Sequence, residues 1–219
     1  GIRFLSSTDS VISWNSVMNN TNTGIYVTGS ENITVNDNIA GNNPGSSQQD
    51  YGIQFISSKN ATIARNTVND NILGGINVTG SDNITVTDNV AGNTLATNLQ
   101  DYGIQLISSN NSIITRNFAS NNTNTGIYVT GSDNIIVTDN LASNRFGLSV
   151  QNYGILFISS SNSLIARNSA NDNYNAGIYV TGSNNISVTD NDVSNLFALN
   201  FRDYGIQFVS TNNSFIANN

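Results

Sequence analysis

Nine times along the chain the same order of apolar and polar positions begins again. The copies start at Gly1, Gly24, Gly52, Gly75, Gly103, Gly126, Gly154, Gly177 and Gly205. The second position is always Ile, from Ile2 and Ile25 to Ile206, and the fourth is Phe, Val or Leu, as in Phe4, Val27 and Leu106. The twelfth alternates Ile and Val, from Ile12 and Val35 to Ile216. An apolar-x-apolar triplet is a short strand with one buried face. The β-branched anchor eight residues later predicts a second strand, and Asn, Ser and Gly between them mark corners. No stretch sustains a helical period, so the pattern predicts an all-β fold.

The copies pair into a longer unit. Tyr51, Tyr102, Tyr153 and Tyr204 recur at a spacing of 51, and residues 51–101 match 102–152 at 28 of 51 positions. Each double unit holds one copy of 23 and one of 28 residues: 1–51, 52–102, 103–153, 154–204 and a partial 205–219. A unit this small cannot bury its apolar face alone, so neighbours must stack into one domain spanning 1–219. Stacking at ~4.8 Å sets Ile on Ile and Asn on Asn. The fifteenth position is Asn in every copy: Asn15, Asn38, Asn66, Asn89, Asn117, Asn140, Asn168, Asn191 and Asn219. That column is expected to form an amide ladder. The ninth position, Asn in all copies but the first (Asp9), is expected to form a second, buried one. Leucine-rich and propeller repeats lack their Leu spacing or Trp-Asp signature here.

The recurring Gly-Ile-x-[Phe/Val]-x-x-Ser-x-Asn-x-x-[Ile/Val]-x-x-Asn, as in Gly52 to Asn66 and Gly75 to Asn89, covers the whole chain. It resembles the right-handed parallel β-helices of the pectate-lyase-like superfamily, most nearly the short-coil repeats of NosD-type and surface proteins. The resemblance implies a single-stranded right-handed β-solenoid of about nine coils, alternately 23 and 28 residues long. It is specific for fold and weak for function, because that group includes lyases, hydrolases, epimerases, adhesins and structural proteins. Lack of His and a single Met18 argue against the copper handling of NosD proteins.

Composition narrows the chemistry. Asn takes 42 positions and Ser plus Thr 48, yet 37% of residues are hydrophobic and recur at fixed places, which favours folding over disorder. Without His or Cys, imidazole and thiol metal sites, disulfides and Cys- or His-based catalysis are excluded. Seven Lys and Arg against 14 acids, a net charge of −7, argue against nucleic acid. No apolar run reaches the ~18–20 residues of a membrane span. No cofactor or metal is expected. The acids fall in repeating columns rather than in a singular cluster, so no catalytic residue stands out and the chain reads as a non-enzyme.

Three decorated columns are candidate sites. The fourteenth position runs Trp14, Asp37, Arg65, Asp88, Arg116, Asp139, Arg167, Asp190, Asn218, which predicts a continuous structural ion-pair ladder that guards register. The third position should point outward between two buried residues. There Tyr26, Tyr128, Tyr179, Gln54, Gln105 and Gln207 form a possible glycan face, since flat Tyr and amide surfaces stack on sugar rings. Longer loops precede every second copy. Phe146, Leu148, Leu196, Phe197, Leu199 and Phe201 make the later ones apolar, which suggests assembly contacts.

Nine N-glycosylation sequons, including Asn32, Asn60, Asn83 and Asn185, match the number chance predicts. A Thr array for ice binding is discounted, because Thr85 and Thr87 have no such pair in adjacent copies. A chain that opens on a strand at Gly1 and stops fifteen residues into a coil suggests an excerpt of a longer array, or ends covered by neighbouring subunits. The expected function is an extracellular or cell-surface structural protein, a rigid rod that self-associates into a fibre, sheath or surface layer. A glycan-binding or adhesive module is the alternative, and a polysaccharide lyase or hydrolase follows behind both.

Overall fold

The computed structural model describes residues 1–43, 48–94, 100–144, 151–194 and 204–219. The chain is a right-handed parallel β-helix. Its two parallel sheets have nine strands each, and consecutive coils supply neighbouring strands. The first sheet runs from Ile2–Leu5 to Tyr204–Val209, the second from Thr8–Ser13 to Phe215–Ala217. Isolated parallel bridges join the sixteenth positions, from Ser16 with Ile39 to Ser169 with Asp192, as a narrow third face.

Register follows from the apolar columns. Ile2 pairs with Ile25, Ile25 with Ile53, and Ile53 with Ile76, so the second positions form one stack inside the first sheet. Val35, Ile63, Val86 and Ile114 stack likewise inside the second. The core between the sheets is filled by these aliphatics and by Phe55 and Phe157, all fully buried except Ile2 at the first coil, which is partly exposed. Burying each such side chain contributes about 1.5–3 kcal/mol.

From Gly1 to Gly154 the glycine that opens each copy is required by close approach. A Cβ on Gly103 would lie 2.6 Å from the Gly126 carbonyl oxygen and 2.9 Å from both Ala119 Cβ and the Ala91 oxygen. The side-chain direction of this glycine therefore points into the core, as does the following Ile. Strict alternation fails at that point, and the residue before the glycine is turned to the outside.

Corners are built from left-handed backbone. The ninth position has φ between 50° and 59°, from Asp9 and Asn32 to Asn185 and Asn213. Asn tolerates this conformation better than most residues, which explains the column. These side chains are exposed, so the expectation of a second buried ladder is corrected: a left-handed turn throws the ninth side chain outward. The sequons at Asn32, Asn60, Asn83 and Asn185 therefore lie on exposed corners.

The fifteenth positions form a ladder of amides. Asn66 donates from its backbone N–H (2.9 Å) and from Nδ2 (3.0 Å) to Asn89 Oδ1, and its Nδ2 also reaches the Val35 carbonyl at 2.9 Å. The same bonds link every rung from Asn15 to Asn219. Asn38 to Asn191 are buried with their amides satisfied, as buried polar groups must be.

Two further ladders carry the other corners. Each backbone N–H at the seventh position donates to the hydroxyl of the next, from Ser7 to Ser30 through Ser160 to Ser183. A third alternates amides of two lengths: Gln49 Nε2 donates to Asn71 Oδ1, Gln100 Nε2 to Asn122 Oδ1 and Gln151 Nε2 to Asn173 Oδ1, at 2.6–2.9 Å. Gln49, Gln100 and Gln151 each lie three residues before an opening glycine, a 51-residue spacing that could have revealed them.

Candidate functional site

The outer face of the first sheet is the most differentiated surface. Because the strand bends at the opening glycine, three columns face outward: the residue before that glycine, and the third and fifth positions after it begins. In one kind of coil they read Tyr102, Gln105 and Ile107, and in the other Thr125, Tyr128 and Thr130. The first and last of these columns alternate with a period of two coils; the middle one follows it except at Arg3, Asn77 and Leu156.

The aromatic rings meet between columns. Tyr102 packs on Tyr128 of the next coil with ring centroids 5.4 Å apart, and Tyr153 on Tyr179 at 5.5 Å with planes 19° apart. Small residues make room for the rings, as at Gly74, where a Cβ would lie 3.4 Å from Tyr51 Cδ1. Asn124 Nδ2 donates to the Tyr102 hydroxyl at 3.1 Å. The rings are half-buried. Burial raises the pKa of Tyr51 and Tyr102. For Tyr51 the carboxylates of Asp50 and Asp101 push the same way; for Tyr102 the neighbouring phenol of Tyr128 and then Asp101 add to it.

The amides of the predicted glycan face are differently placed. Tyr26, Tyr128, Tyr179, Gln54 and Gln207 are partly exposed, but Gln105 is buried at 6% exposure. Gln54 Nε2 donates to Asn77 Oδ1 at 3.4 Å and Asn77 Nδ2 to Gln105 Oε1 at 3.2 Å. The amides of Gln54, Asn77 and Gln105 bond to one another along the stack, and the tyrosines share the accessible part of the face with Gln54 and Gln207. Tyr51, Tyr102 and Tyr153, which served in the sequence only as markers of the repeat, join it. Among the described residues Arg3 is the one cation in these columns; its guanidinium carbon lies 5.6 Å from the Tyr26 ring centre. Both border a recess of about 510 Å³ with Ile2, Gln54 and Ile56.

The charged column resolves into separate pairs, which corrects the expectation of a continuous ladder. Arg65 grips Asp37 with two parallel bonds of 2.8 and 2.9 Å, and Arg116 with Asp88 and Arg167 with Asp139 repeat the geometry. A planar guanidinium fork matches one carboxylate at a time, so each Arg binds the Asp before it and feels the Asp after it only through space. Hydrogen bonds from these arginines hold the Asp37, Asp88 and Asp139 carboxyls below the ordinary range. Asp190 lies beside Asn218 in the next coil and forms no ion pair among the described residues. Trp14, in the same column, is 80% exposed.

The proposed assembly residues Phe146, Leu148, Leu196, Phe197, Leu199 and Phe201 lie outside the described residues. Among the described residues no group of three or more carboxylates is placed to hold a metal, and no helix is long and apolar enough to cross a membrane.

Comparison with known proteins places this geometry. The bacteriophage CBA120 tailspike protein 2 active domain superposes with a TM-score of 0.68 at 15% identity, covering 90% of this chain and 33% of that one. A Thermotoga maritima exopolygalacturonase gives 0.63 at 14%, covering 96% and 54%. The Streptococcus pneumoniae surface protein and adhesin PfbA gives 0.62 at 13%, covering 89% and 66%. At such identities the likeness is one of fold, and the chain spans a third to two thirds of these proteins. The search of curated proteins found no match. The model described as right handed beta helix region matches residues 1–97 and 51–219. Together with the parallel sheets, that match shows that the chain belongs to the right-handed β-helix family.

Proposed function

We propose that the chain is an extracellular, non-catalytic β-helical scaffold that binds polysaccharide on the outer face of its first sheet. The observation that carries this reading is the repeated pair of packed, partly exposed tyrosines, Tyr102 tilted on Tyr128 and Tyr153 stacked on Tyr179, on the outer sheet face. Such rings offer large apolar faces with a polar rim, which suits the faces and hydroxyl edges of sugars. The fold neighbours support the setting, since a tailspike, a polygalacturonase and a surface adhesin share this architecture.

Binding is favoured over cleavage by the carboxylates. Asp50 and Asp101 border the face two coils apart, about 10 Å, at or beyond the separations of paired glycosidase carboxylates. Asp101 is further engaged by the Thr123 hydroxyl at 2.7 Å. Sedimentation with insoluble polysaccharides tests the proposal. Saturable retention that is lost in a Tyr128→Ala, Tyr179→Ala double variant of unchanged melting temperature is expected; absence of retention across the panel overturns it.

Self-association into a fibre or sheath is the second reading, favoured by three hydrogen-bonded ladders that stiffen the stack. Electron microscopy at neutral pH shows filaments or sheets if it holds, and dispersed short rods if it does not.

A further inference from the structure

The period of the tyrosine face selects a class of glycan. We propose that its ligand is a neutral, β-1,4-linked pyranose chain lying along the solenoid axis, one disaccharide to every two coils. This rests on the glycan-binding reading and goes further, to linkage, direction and charge.

The outward columns run across the strands, so any ligand that repeats its contacts must follow the axis. Coils stack at about 4.8 Å, and the face repeats every second coil, so Tyr51, Tyr102 and Tyr153 recur at about 10 Å. An extended chain of pyranoses joined through equatorial 1,4 bonds repeats every two sugars over that same distance, and each sugar is turned over relative to the last. Alternate sugars then present alternate faces, matching coils that alternate a partly exposed tyrosine before the opening glycine with a small, buried residue there: Gly74, Thr125 or Ala176. Chains with α-1,4 or β-1,3 bonds curl and lose this register. An extended peptide, repeating every two residues at about 7 Å, falls out of step within one double coil.

Charge restricts the class. The three outward columns hold no carboxylate, and among the described residues their one cation is Arg3 at one end of the stack. Asp50 and Asp101 border the tyrosines, and the chain carries a net charge of −7. A polyuronate would meet repulsion along most of the face, whereas a neutral or N-acetylated chain would not. The amides of Gln54, Asn77 and Gln105 already bond to one another, so stacking on rings supplies most of the contact.

Calorimetric titration of the purified chain tests the assignment with cellohexaose, chitohexaose, maltohexaose and the hexamer of β-1,4-mannuronate. Cellohexaose or chitohexaose should bind, with affinity rising from tetramer to hexamer to octamer as further tyrosines are covered. Tyr102→Ala and Tyr153→Ala should each weaken binding about three- to tenfold. Tyr102→Phe, which preserves ring packing, should retain most of it. Equal or tighter binding of maltohexaose overturns the linkage assignment, and equal or tighter binding of the mannuronate hexamer overturns neutrality; either leaves glycan binding intact. No binding of any of the four, with no retention on the insoluble panel, overturns both.

Discussion

Asn117 shows what one residue does in this protein. Its Oδ1 accepts two bonds from Asn89, its Nδ2 donates to Asn140 and to the Val86 carbonyl, and it is 2% exposed. Replacing it by Ala strands the Asn89 backbone N–H and takes the Nδ2 donor from the Val86 carbonyl, each costing about 1–3 kcal/mol, while Asn89 Nδ2 keeps the Ile63 and Thr87 carbonyls. Urea unfolding of Asn117→Ala should show a loss of at least about 3 kcal/mol, and Asn117→Asp should do little better, because a carboxylate cannot donate in place of Nδ2.

The charged column behaves differently. Arg116 has φ of 54°, a region an unbranched cation does not favour, and its pair with Asp88 is exposed. Arg116→Asn should therefore melt no lower than the parent. The paired carboxyls have folded pKa values below their unfolded ones, so their contribution is present above the ordinary carboxylate range and is lost as pH falls through the folded values. Replacing Arg65, Arg116 and Arg167 together by Gln should flatten the acid limb of the stability–pH curve. At the alkaline end the raised pKa values of Tyr51 and Tyr102 act in the opposite sense. Their contribution is complete below pH about 10 and is lost as pH rises through the folded values.

At the scale of the strand and its corner, two kinds of glycine separate. Gly131 has φ of 57° and an open surround, with Ser108 Oγ 3.5 Å from a built Cβ, and Ser occupies the same corner in alternate coils at φ near 50°. Gly131→Ala should cost only about 1–2 kcal/mol of backbone strain. Gly103→Ala drives a methyl into backbone on two adjoining coils, a form of overpacking that costs about 1–3 kcal/mol or more. Thermal melts of the two variants should rank in that order. The ladder asparagines and apolar columns were legible in the sequence because they repeat. The orientation of Tyr102 was not, since alternation counted back from Ile104 places it inside. The bend at Gly103, whose built Cβ points at Ala119, turns it out.

For the whole molecule the unit of construction is the double coil. Removing residues 52–102 should leave a folded, shorter helix, because every column closes on an equivalent residue. Removing only 103–125 should destabilise the fold more although fewer residues are lost. It takes out Arg116, brings Asp88 beside Asp139 and sets Tyr102 next to Tyr153 where small residues had separated them. Circular dichroism melts of the two deletions test this, and a shorter helix melting below the single-coil deletion would count against the double coil. The same alternation gives the tyrosine face its 10 Å period, so the deletion of 103–125 should also abolish the predicted chain-length dependence of glycan binding.

The sequence by itself determined the number of coils, their two lengths, the buried Ile, Val and Phe columns and the principal asparagine ladder. Each is a local rule repeated at a fixed spacing, and stacking equal positions is the one way such short units bury their apolar faces. The tertiary structure decided which polar columns are exposed, which Asp each Arg holds, and that the amides of the outer face spend their bonds on one another. Those outcomes depend on left-handed corners and on distances between coils of about 4.8 Å, where a single bend or fork geometry chooses among partners that the sequence spaces alike.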